Sequence, residues 1–370
     1  MTTAPADSIR RSVEVEYWVI DSEGRLTDPD DLADAAPGVE REFVEPLLEI
    51  KTSPCETAAE LHRVLLDRIG AVLRRADELD MGLVPLSTPL CADEIADRPG
   101  ERTRIQAQTI GPAFEYVRHC AGTHIHFEQQ PGSELDQLNT LIALDPALAL
   151  VNSSRHFRGE HLAAGARSKC YRRLAYADLD HQGQLWPYVS DRDEWDRRLD
   201  ARFEEFIAAA SRVGIDRSTV TDCFDPESAV WTPVKLREAF GTVEWRAPDT
   251  ALPSQILQLA ETMAALVEHA RTAEVRIGDE TGRVTEEAIT LPEFETVTDH
   301  VDCAIEDGLA SPAVRSYLTR MGFDPSAYEP VSASFADAQE LSPAAARALR
   351  LDHAERLRSD VLGRHPIEAD

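Results

Sequence analysis

The sequence predicts an α+β protein, a largely antiparallel β-sheet with helices packed on one face. Three observations carry that expectation. Short segments whose polarity alternates residue by residue are interspersed with long segments of helical period. The order lacks the regular strand–helix–strand rhythm of a parallel sheet. And a chain of 370 residues, 43% hydrophobic, is long enough to bury a substantial core behind such a sheet.

The strand-like segments are 12–20, 47–52, 83–88, 121–128 and 241–247. Between them, Thr57 and Glu60 have capping-box spacing ahead of the apolar series Leu61, Val64, Leu65, Val72, Leu73, Ala76 and Leu79, and Gly82 ends that helix. Ser133 caps a helix to about Leu144, Asp191 opens another, and Pro253–Ser254 starts a fourth through Val267. The segment from about Ser342 to Arg358, rich in Ala, Leu and Arg, reads as helical. With no internal repeat and no low-complexity linker, residues 1–370 are expected to form a single catalytic domain. Its core spans about 12–270, and 271–370 form a mostly helical extension.

Composition narrows the function. The net charge is −29, and of 38 basic residues only Lys51, Lys169 and Lys235 are lysines. So acidic a surface repels nucleic acid and anionic membrane, and it suits a salt-rich interior in which charge is screened. No apolar run is long enough to span a bilayer and no leader precedes the first strand, so a cytoplasmic location is expected. Six scattered cysteines without zinc spacing read as reduced thiols. Oligomeric state is not written in the sequence.

Chemistry enters through the strands. In "SVEVEYWVI", Glu14 and Glu16 share one face while valines fill the other. "GTHIHFEQ" does the same with His124, His126 and Glu128 against Ile125 and Phe127. "GTVEWRAPD" pairs Glu244 with Arg246, and "LLEIKTSP" pairs Glu49 with Lys51. One such strand fits any solvated sheet face. Four that choose Glu, His and Arg would crowd carboxylates together, which is unfavourable unless cations bind there. Carboxylates with an imidazole suit Mg²⁺, with Mn²⁺ the alternative, whereas zinc would need cysteines or closely spaced histidines. Neither a P-loop nor a Rossmann turn is present, so a nucleotide would be held by metals and arginines on the sheet.

The ordered set "VEVEYW", "ERE…LLEIKTSPCET", "GLVPLSTP", "GTHIHF", "FRGEHLAAGAR" and "TVEWRAPDT", from about Val13 to Ala270, resembles the glutamate-cysteine ligases of the carboxylate-amine ligase type. The resemblance implies a curved, glutamine-synthetase-like antiparallel sheet carrying Mg²⁺ and ATP. It also implies ATP-driven joining of the glutamate γ-carboxylate to the cysteine amine through a γ-glutamyl phosphate. On it, Glu14, Glu16, Glu42, Glu49, His124 and Glu244 match metal ligands, with Pro46 interrupting the strand between Glu42 and Glu49. Arg246 matches the arginine that reaches the ATP phosphates. Arg167 matches the one that holds the glutamate carboxylate or the transferring phosphoryl group, and Arg172 competes for that role. His126 either contacts the nucleotide or supports His124.

Two rivals follow. One keeps the acyl-phosphate chemistry with a different amine or carboxylate. The other is a protein that captures metal or nucleotide on the acidic face without turnover.

Overall fold

The structure is a computed structural model and describes residues 8–92, 95–279, 281–335 and 338–363. Its centre is a seven-stranded sheet: β1 (Arg11–Asp21), β2 (Val39–Arg41), β3 (Leu47–Lys51), β4 (Met81–Val84), β5 (Thr123–Glu128), β6 (Val234–Arg237) and β7 (Thr242–Trp245). The spatial order is β2-β3-β1-β5-β7-β6, with β4 paired to the far half of β1, and every ladder in it is antiparallel. The expected fold class is therefore present.

Alternation along β1 decides which side is which. Val13, Val15, Tyr17 and Val19 are fully buried in the main core, against Leu61, Leu65, Ile69 and Val72 of the helix Ala58–Glu78 and Ile256, Ala260 and Met263 of the helix Pro253–His269. Ile125, Phe127, Val243 and Trp245 continue that apolar face onto β5 and β7. The opposite face changes character along its length. Glu14 and Glu16 leave it polar. Trp18 and Ile20 then enter a second, smaller core with Leu47, Val84, Phe335 and Ala346, the last on the helix Pro343–Leu362. One half of the second face is thereby covered, and the charged half is left for chemistry.

Local signals act as expected at one helix start, in half at a second and differently at a third. Thr57 Oγ1 accepts from Glu60 N at 3.1 Å, but the Glu60 carboxylate accepts from Glu56 N rather than closing the capping box on Thr57. Asp191 caps the helix Arg192–Arg212 through Glu194 N. Ser133 precedes the helix Glu134–Leu144 without a side-chain cap bond; Gln137, reaching back to Gln130 N, ties down that turn instead. After residue 270 the helices Phe294–Glu306, Pro312–Arg320 and Pro343–Leu362 are joined by a three-stranded sheet, Glu274–Asp279, Arg283–Val284 and Ala288–Pro292, which the helical expectation for 271–370 did not include. Among the described residues, no helix is long and apolar enough to cross a membrane. All six cysteines are free.

Candidate active site

Strand register builds the site. Glu14 lies opposite His124 on one side and Lys51 on the other, Glu16 lies opposite Glu49, and His126 is flanked by Ser12 and Glu244. Because alternate residues share a face, these pairs stack as successive rows roughly 6–7 Å apart along the strands. Glu42 arrives from the loop after β2. Its backbone N–H bonds Leu47 O at 3.1 Å, and the turn through Pro46 returns the chain so that Glu42 and Glu49 face one another. Three overlapping groups result: Glu14, His126 and Glu244; Glu14, Glu49 and His124; and Glu16, Glu42 and Glu49, each with ligand atoms within 4.8 Å of one another.

Electrostatics differ across the rows. At the Glu16 end, burial followed by mutual repulsion pushes Glu16 and Glu42 up to about 7 and Glu49 up to about 8. Lys51 Nζ, 2.8 Å from Glu49, supplies only part of the missing counter-charge. At the other end, burial would raise Glu244, but Arg246, His126, Lys235 and His124 outweigh it and hold the carboxylate well below its usual range. Glu14 is likewise held low, burial being outweighed by hydrogen bonds and charge from the two histidines. Burial and Arg246 lower His124 to about 4, and its Nδ1 lies 3.1 Å from Glu14.

The donors fit hard divalent ions. His126 Nδ1 is engaged by Thr242 Oγ1 at 3.0 Å, while its buried Nε2 has no hydrogen bond and lies 3.7 Å from Glu14 and 3.6 Å from Glu244. A buried nitrogen fixed by a partner on its far side and facing two carboxylates is arranged as a ligand. The expected separation of roles is thus less sharp in the geometry: His126, read from sequence as a nucleotide contact or a support, belongs to one of the three ligand groups.

The arginines stand beside this acidic strip. The Arg246 guanidinium bonds Glu244 and lies 5.0 Å from the centre of the Trp231 ring. Arg167, 6% exposed, donates to the carbonyls of Arg246 and Ala247 and passes directly over Gly122, whose N–H bonds Glu16 at 2.6 Å. Arg172 lies nearby but is held in a buried pair with Asp145, at 2.5 and 3.0 Å, and Asp145 also accepts from Trp245 Nε1. With its charge already matched, Arg172 is the weaker candidate for a substrate carboxylate; among the described residues Arg167 Nε has no partner.

Sequence reasoning missed three residues here. Arg237 donates to Glu244 at 2.8 Å. Lys235, opposite Glu244, is fully enclosed and lowered to about 7 by burial and Arg246. Gly122 clears the space for Arg167. Two lysines of three touching or facing this strip, in a chain otherwise built on arginine, is a signal the sequence did contain.

An antiparallel sheet with one apolar face and one face of clustered carboxylates and imidazoles defines an α+β protein with a candidate cation site. The chain matches glutamate-cysteine ligase family 2 over residues 13–314 and belongs to that family. It is 25% identical over 270 residues to a protein of Chloroflexus aggregans provisionally named glutamate–cysteine ligase 2, covering 69% of this chain and 63% of that one. It is 30% identical over 121 residues to one of Rhodococcus jostii provisionally named glutamate–cysteine ligase 2-1, covering 31% and 32%. The chain therefore spans less than two thirds of the length of the curated relatives it matches. Its fold is similar to that of a bifunctional glutathione synthetase from Pasteurella multocida, with a TM-score of 0.59, 14% identity, and coverage of 97% of this chain and 53% of that one.

Proposed function

We propose that the protein is an ATP-dependent carboxylate-amine ligase that joins the γ-carboxylate of glutamate to the amine of cysteine. The single observation that carries this reading is the convergence of Glu14, Glu16, Glu42, Glu49, His124, His126 and Glu244 on one face of the sheet, with Arg167 and Arg246 beside them. Family membership supports it.

The glutamate side-chain oxygen would attack the γ-phosphorus of ATP, breaking the bond to ADP. The cysteine nitrogen would then attack the acyl carbon and expel phosphate. The three groups of carboxylates and imidazoles would hold Mg²⁺ ions, which when bound would neutralise the phosphate oxygens. Arg246, its charge secured by Glu244, would meet a phosphate oxygen. Arg167, with an unpaired Nε, is the group available to a substrate carboxylate or the transferring phosphoryl. These two arginines line a cleft of about 20 Å³ that opens to solvent. We further infer a salt-rich cytoplasm as the working environment, from the charge of −29.

The test is to incubate the protein in molar KCl with Mg²⁺, ATP and glutamate, vary the amine, and follow ADP together with any γ-linked dipeptide. Cysteine should stimulate ADP release above the no-amine control and yield γ-glutamylcysteine. Stimulation by another amine alone would move the protein to a different carboxylate-amine ligase. Nucleotide binding without turnover with any amine would make it a binding protein.

A further inference from the structure

Arg172 shows what a carboxylate does to an arginine in this region: Asp145 takes two of its nitrogens and matches its charge. Arg167 and Arg246 are held differently. The Arg246 guanidinium lies over the Trp231 ring, 5.0 Å from its centre, and the Arg167 guanidinium lies over the Tyr171 ring at 5.8 Å. The two rings pack on each other, their centres 4.6 Å apart and their planes at 32°. All four side chains line one cleft. We propose that Tyr171 and Trp231 are positioning residues, a paired aromatic shelf that fixes the two arginines relative to each other. The inference rests on the ligase reading and adds to it what sets the spacing of the cationic groups.

The backbone builds the shelf from both sides. Tyr171 follows Arg167 by four residues, so the two share a helix face, and the side chain of a helical tyrosine leans back toward the preceding turn. Its own turn, Cys170–Leu174, is a π-helix closed by Ala175 N–H to Cys170 O at 2.9 Å, a widened turn of the kind that re-aims side chains at functional sites. Trp231 is clamped through its backbone. Its N–H donates to Gln182 Oε1 at 2.7 Å, and its carbonyl accepts from Gly183 N–H at 2.8 Å. Gly183 has φ 73°, and a Cβ there would come within 2.7 Å of the Tyr171 carbonyl, so the clamp closes only with glycine. Arg246 N–H donates to Pro233 O at 2.7 Å, two residues past Trp231, which brings the second arginine to its ring.

Packing alone does not account for these rings. Among the described residues, Trp231 belongs to none of the apolar cores, and its ring is spent on Tyr171 and Arg246. The face of a ring under a guanidinium holds it in place without matching its charge or using its N–H groups, whereas a carboxylate does both. The shelf therefore suits arginines whose charge is meant for a substrate.

Titration calorimetry on the full chain in molar KCl with Mg²⁺ and AMP-PNP tests the shelf without requiring turnover. Trp231→Leu should weaken AMP-PNP binding about tenfold, the value of one desolvated cation–ring contact, and Trp231→Phe should recover most of that loss. In an Arg246→Gln background, Trp231→Leu should change binding by less than about twofold, because the residue it acts through is gone. In the ADP assay, Tyr171→Leu should raise the KM for glutamate about tenfold, and Tyr171→Phe, which keeps the ring, should return it to the wild-type value. Equal weakening by Trp231→Leu in both backgrounds would assign the tryptophan a purely structural role. Unchanged AMP-PNP binding would assign it none, and a fall in kcat alone for Tyr171→Leu would mean fewer folded molecules. Each of these overturns the proposal and spares the ligase reading, which fails separately if the wild type releases no ADP with any amine.

Discussion

Gly122 and Arg167 occupy one space: a Cβ on Gly122 would overlap the Arg167 guanidinium. The absence of a side chain lets the guanidinium lie flat beside the Gly122 N–H that holds Glu16. Gly122→Ala should therefore push Arg167 aside while leaving the ladder intact. Turnover with glutamate should fall about tenfold to a hundredfold, the value of a hydrogen bond to a charged group, and Arg167→Ala should add little on top. Steady-state kinetics of the two single variants and the double variant check this, with thermal melting as the control for folding.

Glu16 and Glu244 should respond oppositely to neutralisation. Glu244 is buried between Arg237 and Arg246, so Glu244→Gln strips two guanidinium groups of their counter-charge and should cost about 3–5 kcal/mol. Glu16, by contrast, is penalised when ionised without metal. Glu16→Gln should stabilise the metal-free protein at pH 8 by up to about 3 kcal/mol while weakening metal binding. Denaturant melts in EDTA and in Mg²⁺ distinguish the two.

The same carboxylates set a pH dependence. Glu16 and Glu42 near 7 and Glu49 near 8 sit above the ordinary value, so the folded metal-free protein binds more protons than the unfolded chain between about pH 5 and 8. Their contribution is complete below the ordinary carboxylate range and is lost as pH rises through 7 to 8. Melting temperature in EDTA should fall across that window. Added Mg²⁺ should restore more stability at pH 8 than at pH 6 and release protons on binding, measurable in buffers of different ionisation enthalpy. Glu14 and Glu244, held low, act in the opposite sense and should make the protein lose stability below about pH 4.

Salt offers a separate check. With a net charge of −29, self-repulsion is long-ranged at low ionic strength. Circular dichroism should show a lower melting temperature in dilute buffer than in molar KCl, with recovery on adding salt.

Much of this was legible in sequence because period-two alternation fixes faces. β1, β3, β5 and β7 each announce an apolar and a charged side, and pairing them brings Glu14, Glu49, His124 and Glu244 together. β6 escaped because "VKLR" is four residues long and its apolar residues alternate with two cations that read as surface. Their purpose emerges only once Glu244 lies opposite Lys235. The turn "EAFG" that joins β6 to β7 was the available clue. Arg172 could not be separated from Arg167 in sequence, since its partner Asp145 is a distant residue brought close only by folding. The small sheet after residue 273 does alternate, Val275 and Ile277 with Glu274 and Arg276, and buried Ile289 and Leu291 about Thr290, but its strands are only two to six residues long.

The central claim is that these side chains form a divalent-cation site for nucleotide. Anomalous diffraction from crystals grown with Mn²⁺ and AMP-PNP tests it most directly. Peaks bounded by Glu14, Glu16, Glu42, Glu49, His124, His126 and Glu244, in contact with the phosphates, are the predicted result. Saturating Mn²⁺ with no peak on that face, or nucleotide bound elsewhere, would contradict it.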